Sequence, residues 1–158
     1  MANWPQVSID VEKELEMCFA CGQKNPIGLK LNFGWDGKVA RAEFTPNKFH
    51  QGWAGVVHGG IVSCLLDEAM SYAALFSGVN SLTARMQTRF RRPLQIDELL
   101  IITASLTKKT RKLVEAKAEM SLKDGTLVAD STATMFVLGP KGVLRGRSPF
   151  KSNPSPSP

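Results

Sequence analysis

The chain is poor in cysteine and histidine, has no apolar run at its start, and has few aromatics beside its basic clusters. Three cysteines among 158 residues, Cys18, Cys21 and Cys64, are an odd number. That count fits reduced thiols better than a disulfide framework. A zinc site needs about four ligands. Cys18-x-x-Cys21 has no second such pair to join it, only two histidines exist, His50 and His58, and Cys64 lies inside an apolar helical stretch. The expectation is no metal, with Cys18 and Cys21 as two small, semi-buried thiols in a loop. A redox Cys-x-x-Cys normally opens a helix after a strand, and this one precedes a turn. Residues 1–16 carry Asp10, Glu12, Glu14 and Glu16 and lack the apolar core of a signal peptide. The apolar stretch after Gly60 is too short and too acidic for a bilayer span. A cytoplasmic protein without a membrane partner is therefore expected. Phe90 is the one aromatic near the basic residues, so the interleaved stacking groups that single-stranded nucleic acid favours are missing, and no nucleic acid partner is expected.

What is present suits one folded domain. A formal charge of +6 gives a surface that favours anions. Residues 18–29 are turn chemistry, punctuated by Gly22, Asn25-Pro26 and Gly28. Residues 29–35 alternate Leu29, Leu31, Phe33 and Trp35 against Lys30, Asn32 and Gly34, the period of a half-buried strand. Asp36-Gly37 is a hairpin turn, returning through a strand at 39–44. After a loop at 45–57, residues 58–76 read as a helix apolar on nearly every side, hence buried. Four strands follow, at 82–92, 99–108, 112–122 and 127–138, with Pro93 ending the first and Asp124-Gly125 turning into the last. Short connections between them predict successive antiparallel hairpins. Residues 1–17 read as an arm or short helix, and 139–158 as a basic, Pro/Ser-rich disordered tail. One buried helix inside a curved antiparallel sheet is an α+β domain.

The chemistry concentrates in HQGWAGVVHGGIVSCLLDEAMSYAALF, residues 50–76. His58-Gly59-Gly60 opens the helix, where backbone N–H groups lack partners and the end of the dipole is positive. Glycine allows a ligand to approach that backbone closely, and a polarised carbonyl is a natural occupant. Asp67 lies on an otherwise oily helix. A buried carboxylate is costly unless it is paired or used. Arg85 or Arg89 could pair with it; a pocket would make it a general base or a nucleophile. Glu68 points about 100° away, toward a structural partner or the pocket rim. His50, Gln51, His58 and Gly60 could order water or substrate, although bonding to loop backbone is the plainer role for both histidines. Arg85, Arg89 and Arg91 share one face of an extended strand. With Arg92, Lys108, Lys109, Arg111 and Lys112 they form either a solvated charge cluster or a phosphate clamp.

GVVHGGIVSCLLDEAM, with the surrounding strand and hairpin order, resembles the hotdog-fold acyl-CoA thioesterases of the phenylacetate-pathway (PaaI-like) branch of the 4-hydroxybenzoyl-CoA thioesterase superfamily. CFACGQKNPIGLKLNF resembles the opening of a subgroup of that branch, and the likeness covers residues 18–138. The resemblance implies a long helix wrapped by a six-stranded antiparallel sheet, homodimers that join their sheets, and often homotetramers. It implies an active site at the dimer interface, with Asp67 attacking the thioester or activating water and the Gly59 N–H polarising its carbonyl. Thr83, ten residues before Pro93, would come from the other subunit and place the water. The family often has an asparagine six residues before the motif histidine. Here that position is Gly52, beside Gln51 and His50. Coenzyme A, as part of the substrate and not a separate cofactor, would give Arg89, Arg91, Arg92, Lys108 and Lys109 phosphates to contact. Two other functions stay open: a hotdog dehydratase or hydratase, and a non-catalytic acyl-CoA binding module.

Overall fold

The computed structural model describes residues 15–138; the proposed tail, and residues 1–14 of the proposed arm, lie outside them. The first hairpin shows how local chemistry sets the sheet. Strands β1 (Gly34–Trp35) and β2 (Ala40–Phe44) are antiparallel. The Asp36 carboxylate between them accepts the N–H groups of Lys38 and Val39 at 2.8 and 2.7 Å, and Gly37 takes φ +98°. The strand expected at 29–35 shrinks to its last two residues. Its alternation is real, since Leu29, Leu31 and Phe33 are buried. Yet Leu29 and Leu31 donate to the carbonyls of Phe19 and Ala20, and Lys30 is left-handed at φ 59°. The segment therefore pairs with the cysteine loop instead of the sheet.

Helix α1 (Gly59–Phe76) begins at His58 and stops at Ser77, whose N–H and hydroxyl both donate to the Ala73 carbonyl, with Gly78 at φ +79° just beyond. Leu65, Leu66, Ala69, Met70, Ala73 and Ala74 are fully buried against the sheet. Ile61, Ser63, Cys64, Asp67, Glu68 and Ser71 stay partly exposed, so the apolar surround expected from the sequence is covered by the sheet on one side only. By length and composition α1 could cross a membrane; here its apolar side chains form the core.

Strands β3 (Ser81–Phe90), β4 (Leu100–Lys109), β5 (Leu113–Leu122) and β6 (Leu127–Val137) complete a six-stranded antiparallel sheet of order β1-β2-β4-β5-β6-β3. The expectation of hairpins throughout the last four strands is corrected at one point: β3 pairs with β6, while β4 lies between β2 and β5. The connection leaving β3 passes Pro93 and is too long for a tight turn, so it does not oblige its two strands to be neighbours. It is pinned instead by Leu94, whose carbonyl accepts the Val57 N–H at 2.8 Å.

Candidate active site

A register shift between Thr83 and Arg85 decides which side chains of β3 face the helix. Strict alternation would put Thr83 on one face with Arg85, Gln87 and Arg89. The extra residue, Ala84, resets the parity, as a β-bulge does. Thr83, Met86 and Thr88 are half-buried, while Arg85, Gln87 and Arg89 are exposed. Thr83 Oγ1 then donates to Asp67 Oδ1 at 2.7 Å, within one chain. This corrects the expectation that Thr83 reaches Asp67 only from a second subunit. No described cation pairs with Asp67, and the exposed Arg85 and Arg89 point away from it.

The start of α1 has one free donor. Gly60 N–H donates to His58 Nδ1 at 2.8 Å, and the N–H groups of Ile61 and Val62 both reach the His58 carbonyl. Among the described residues nothing accepts from the Gly59 N–H. The cap also explains the second glycine: a Cβ on Gly60 would sit 3.0 Å from His58 Nδ1. Gly59 faces a groove of about 360 Å³ floored by Val56, Val57, Val62, Phe90, Leu94 and Val128, with Arg91 and Arg92 beside it. The sequence signal for this groove is the Val56-Val57 pair ahead of His58, within the stretch at 45–57 that reads as loop.

Gly59 and Asp67 do not meet within one chain. Eight residues at the helical rise separate them by about 12 Å along α1.

The other candidates serve the scaffold. His50 Nδ1 accepts the Asn47 N–H at 3.0 Å and its carbonyl accepts the His58 N–H; burial lowers the pKa of its ring. Gln51 Oε1 accepts the Gly55 N–H at 3.0 Å, closing its own loop. Gly52 packs against His58, where a Cβ would come within 3.3 Å of the histidine Cα. A side chain there would require His58 to give way by a few tenths of an ångström. Glu68 accepts from Cys18 Sγ at 3.7 Å, the structural partner that its position on α1 allowed for.

The expected basic rim divides. Arg91 pairs with Asp130 and Arg92 with Glu98 near the start of α1. Lys109 Nζ donates to the Ser77 carbonyl at the far end, where Lys108 lies 3.9 Å from Glu115. An 18-residue helix is about 27 Å long, so one chain does not gather these groups around one phosphate.

The family model of the thioesterase superfamily matches residues 54–129, which hold Gly59, Asp67 and Thr83. Mouse acyl-coenzyme A thioesterase THEM4 is 28% identical over 95 residues, covering 60% of this chain and 41% of that protein. The chain spans about two fifths of the length of the curated relatives it matches. Among solved structures, a hypothetical thioesterase from Streptococcus pneumoniae with coenzyme A superposes at TM-score 0.66 and 18% identity, covering 69% of this chain and 86% of its own. Further structures of that protein carry a threonine-to-alanine and an aspartate-to-alanine substitution. The E. coli PaaI protein superposes at TM-score 0.66 and 20% identity, covering 70% and 81%. With the superfamily model over its glycine turn, helix and most of its strands, and the same helix-on-sheet architecture in these structures, the chain is similar to the thioesterase superfamily over residues 54–129 and has the hotdog fold.

Proposed function

We propose that the protein hydrolyses acyl-CoA thioesters at composite sites between two copies of the chain. The observation that carries this reading is the 2.7 Å bond from Thr83 to Asp67, a half-buried carboxylate with no described cation. Thr83 occupies Oδ1 and leaves Oδ2 as an acceptor for a water proton. Asp67 acts as general base, the activated water attacks the thioester carbon, and the tetrahedral intermediate expels the coenzyme A thiolate. The oxyanion accepts the free Gly59 N–H. Since about 12 Å of helix separates Gly59 from Asp67, the donor comes from one copy and the base from the other.

Edge strand β3 supports the pairing. It is ten residues long, is hydrogen-bonded among the described residues on one side only, by β6, and exposes Leu82 and Phe90. Phe49 and Trp53, in the loop before α1, are 83% and 87% exposed. A long edge with apolar side chains invites a strand from a second copy, and a two-fold axis there gives two equivalent sites. The groove beside Gly59 takes the thioester arm of coenzyme A, and Arg91 and Arg92 lie where its phosphates leave.

Asp67→Asn tests the mechanism. The folded variant, checked by circular dichroism, should release almost no thiol from short, long or aromatic acyl-CoAs that the wild type cleaves. Wild-type turnover by it would overturn the assignment. A second reading, acyl-CoA binding without turnover, is favoured by Gly52, which leaves no amide near the water. It predicts tight binding and no thiol release by the wild type. A dehydratase finds less support, because it needs an aspartate and a free histidine together and the His58 ring is committed to capping α1 through the Gly60 N–H.

A further inference from the structure

We propose that Cys18, Cys21 and Glu68 form a binding site for one thiophilic divalent cation of the zinc class, fastening the loop before β1 to the middle of α1. The Cys18 and Cys21 sulfurs and a Glu68 oxygen lie within 4.8 Å of one another. Around tetrahedral zinc, with bonds of about 2.3 Å to sulfur and about 2.0 Å to oxygen, such atoms stand about 3.5–3.8 Å apart. Cys18 Sγ and Glu68 Oε1 already lie at 3.7 Å. Small side-chain rotations bring in the rest. Cysteine and histidine spacing could not reveal the site, because its third ligand is a glutamate fifty residues away.

The loop is built to present these thiols. Gly22 N–H donates to the Cys18 carbonyl at 2.9 Å, and a Cβ on Gly22 would lie 2.5 Å from the Cys18 N and O. Glycine is therefore what lets the chain fold back over Cys18. Lys30 Nζ braces the same turn through the carbonyls of Gly22, Gln23 and Asn25, and so does not face Glu68.

Glu68 is mostly buried, forms no ion pair among the described residues and turns its carboxylate to the thiols of this loop, where a cation would offset the cost of burying it. Three protein ligands leave a fourth position for water. Cys64, a half-buried free thiol one turn before Glu68 on α1, stands outside the three-atom group.

The test is cobalt titration of the full-length protein, reduced and stripped with a chelator, under exclusion of oxygen. The expected result is one cobalt per chain, with thiolate-to-cobalt charge-transfer absorption and tetrahedral d–d bands. A Cys18→Ser/Cys21→Ser double variant should lose these bands. Glu68→Gln should weaken binding at least by the roughly tenfold that losing even an outer-shell partner costs. Zinc should raise the Tm of the wild type and not that of the double variant. No cobalt–thiolate absorption in reduced, folded wild-type protein would overturn the proposal. So would equal binding by the double variant, or a Cys18–Cys21 disulfide as the only chemistry the pair shows. The readout is independent of thioester turnover, so it stands apart from the fate of the proposed activity.

Discussion

Asp67 and Glu68 are adjacent acids on one helix, yet they inhabit opposite surroundings. Asp67 looks past the edge of the sheet, accepts one hydroxyl from Thr83 and is half-exposed. Glu68, about 100° around α1, faces two thiols and is pushed up to about 7 by burial. The pair teaches that an acid in an oily helix is not one signal. Its role follows from what the fold brings to its side of the helix: a bulged strand that offers a hydroxyl for Asp67, and a tight cysteine turn for Glu68.

Four substitutions probe that contrast, beginning with the largest effect. Asp67→Asn should lower kcat for acyl-CoA hydrolysis by about 10²–10⁴-fold, the usual worth of a general base. Steady-state thiol release checks it, and a loss confined to KM would refute the assigned role. Leu66→Ala, directly before the pair and fully buried, should cost about 2–5 kcal/mol of stability. Denaturant unfolding measures that; a cost below 1 kcal/mol would mean that the sheet-facing side of α1 is less tightly packed than described. Thr83→Ala removes a hydrogen bond to a charged group, about 1.5–3 kcal/mol, or roughly tenfold to a hundredfold in kcat. Thr83→Ser should restore most of the rate, and failure of that rescue would point to packing instead of the hydroxyl. His58→Ala removes the cap from Gly60 and should destabilise α1 by about 1 kcal/mol, seen as a lower unfolding midpoint.

Much of the fold was legible because short-range chemistry wrote it. The Asp36-Gly37 turn, the helix start at His58, the stop near Gly78 and the two-residue alternation of the last strands were all recoverable from spacing. The strand expected at 29–35 misled because alternation reports burial and not pairing. Its side chains are buried as expected, while its backbone bonds go to Phe19 and Ala20. For the site, the residue types at Gly59, Asp67 and Thr83 were legible, but their relation was not. Thr83 shares sequence parity with Arg85 and Arg89, and only the register shift at Ala84 separates them onto opposite faces.

The sequence by itself determined the α+β composition, the capped helix with its one acidic pair, and the glycine turn with a free N–H. All of these depend on residues within a few positions of one another. Tertiary structure decided that β3 lies beside β6, that Thr83 bonds to Asp67 in its own chain, and that Glu68 belongs to the cysteine loop. Each of these joins residues sixteen to fifty-six positions apart. Local propensities do not reach that far, and the choice falls to the packing of α1 against the sheet and to hydrogen bonds that form only once that packing is in place.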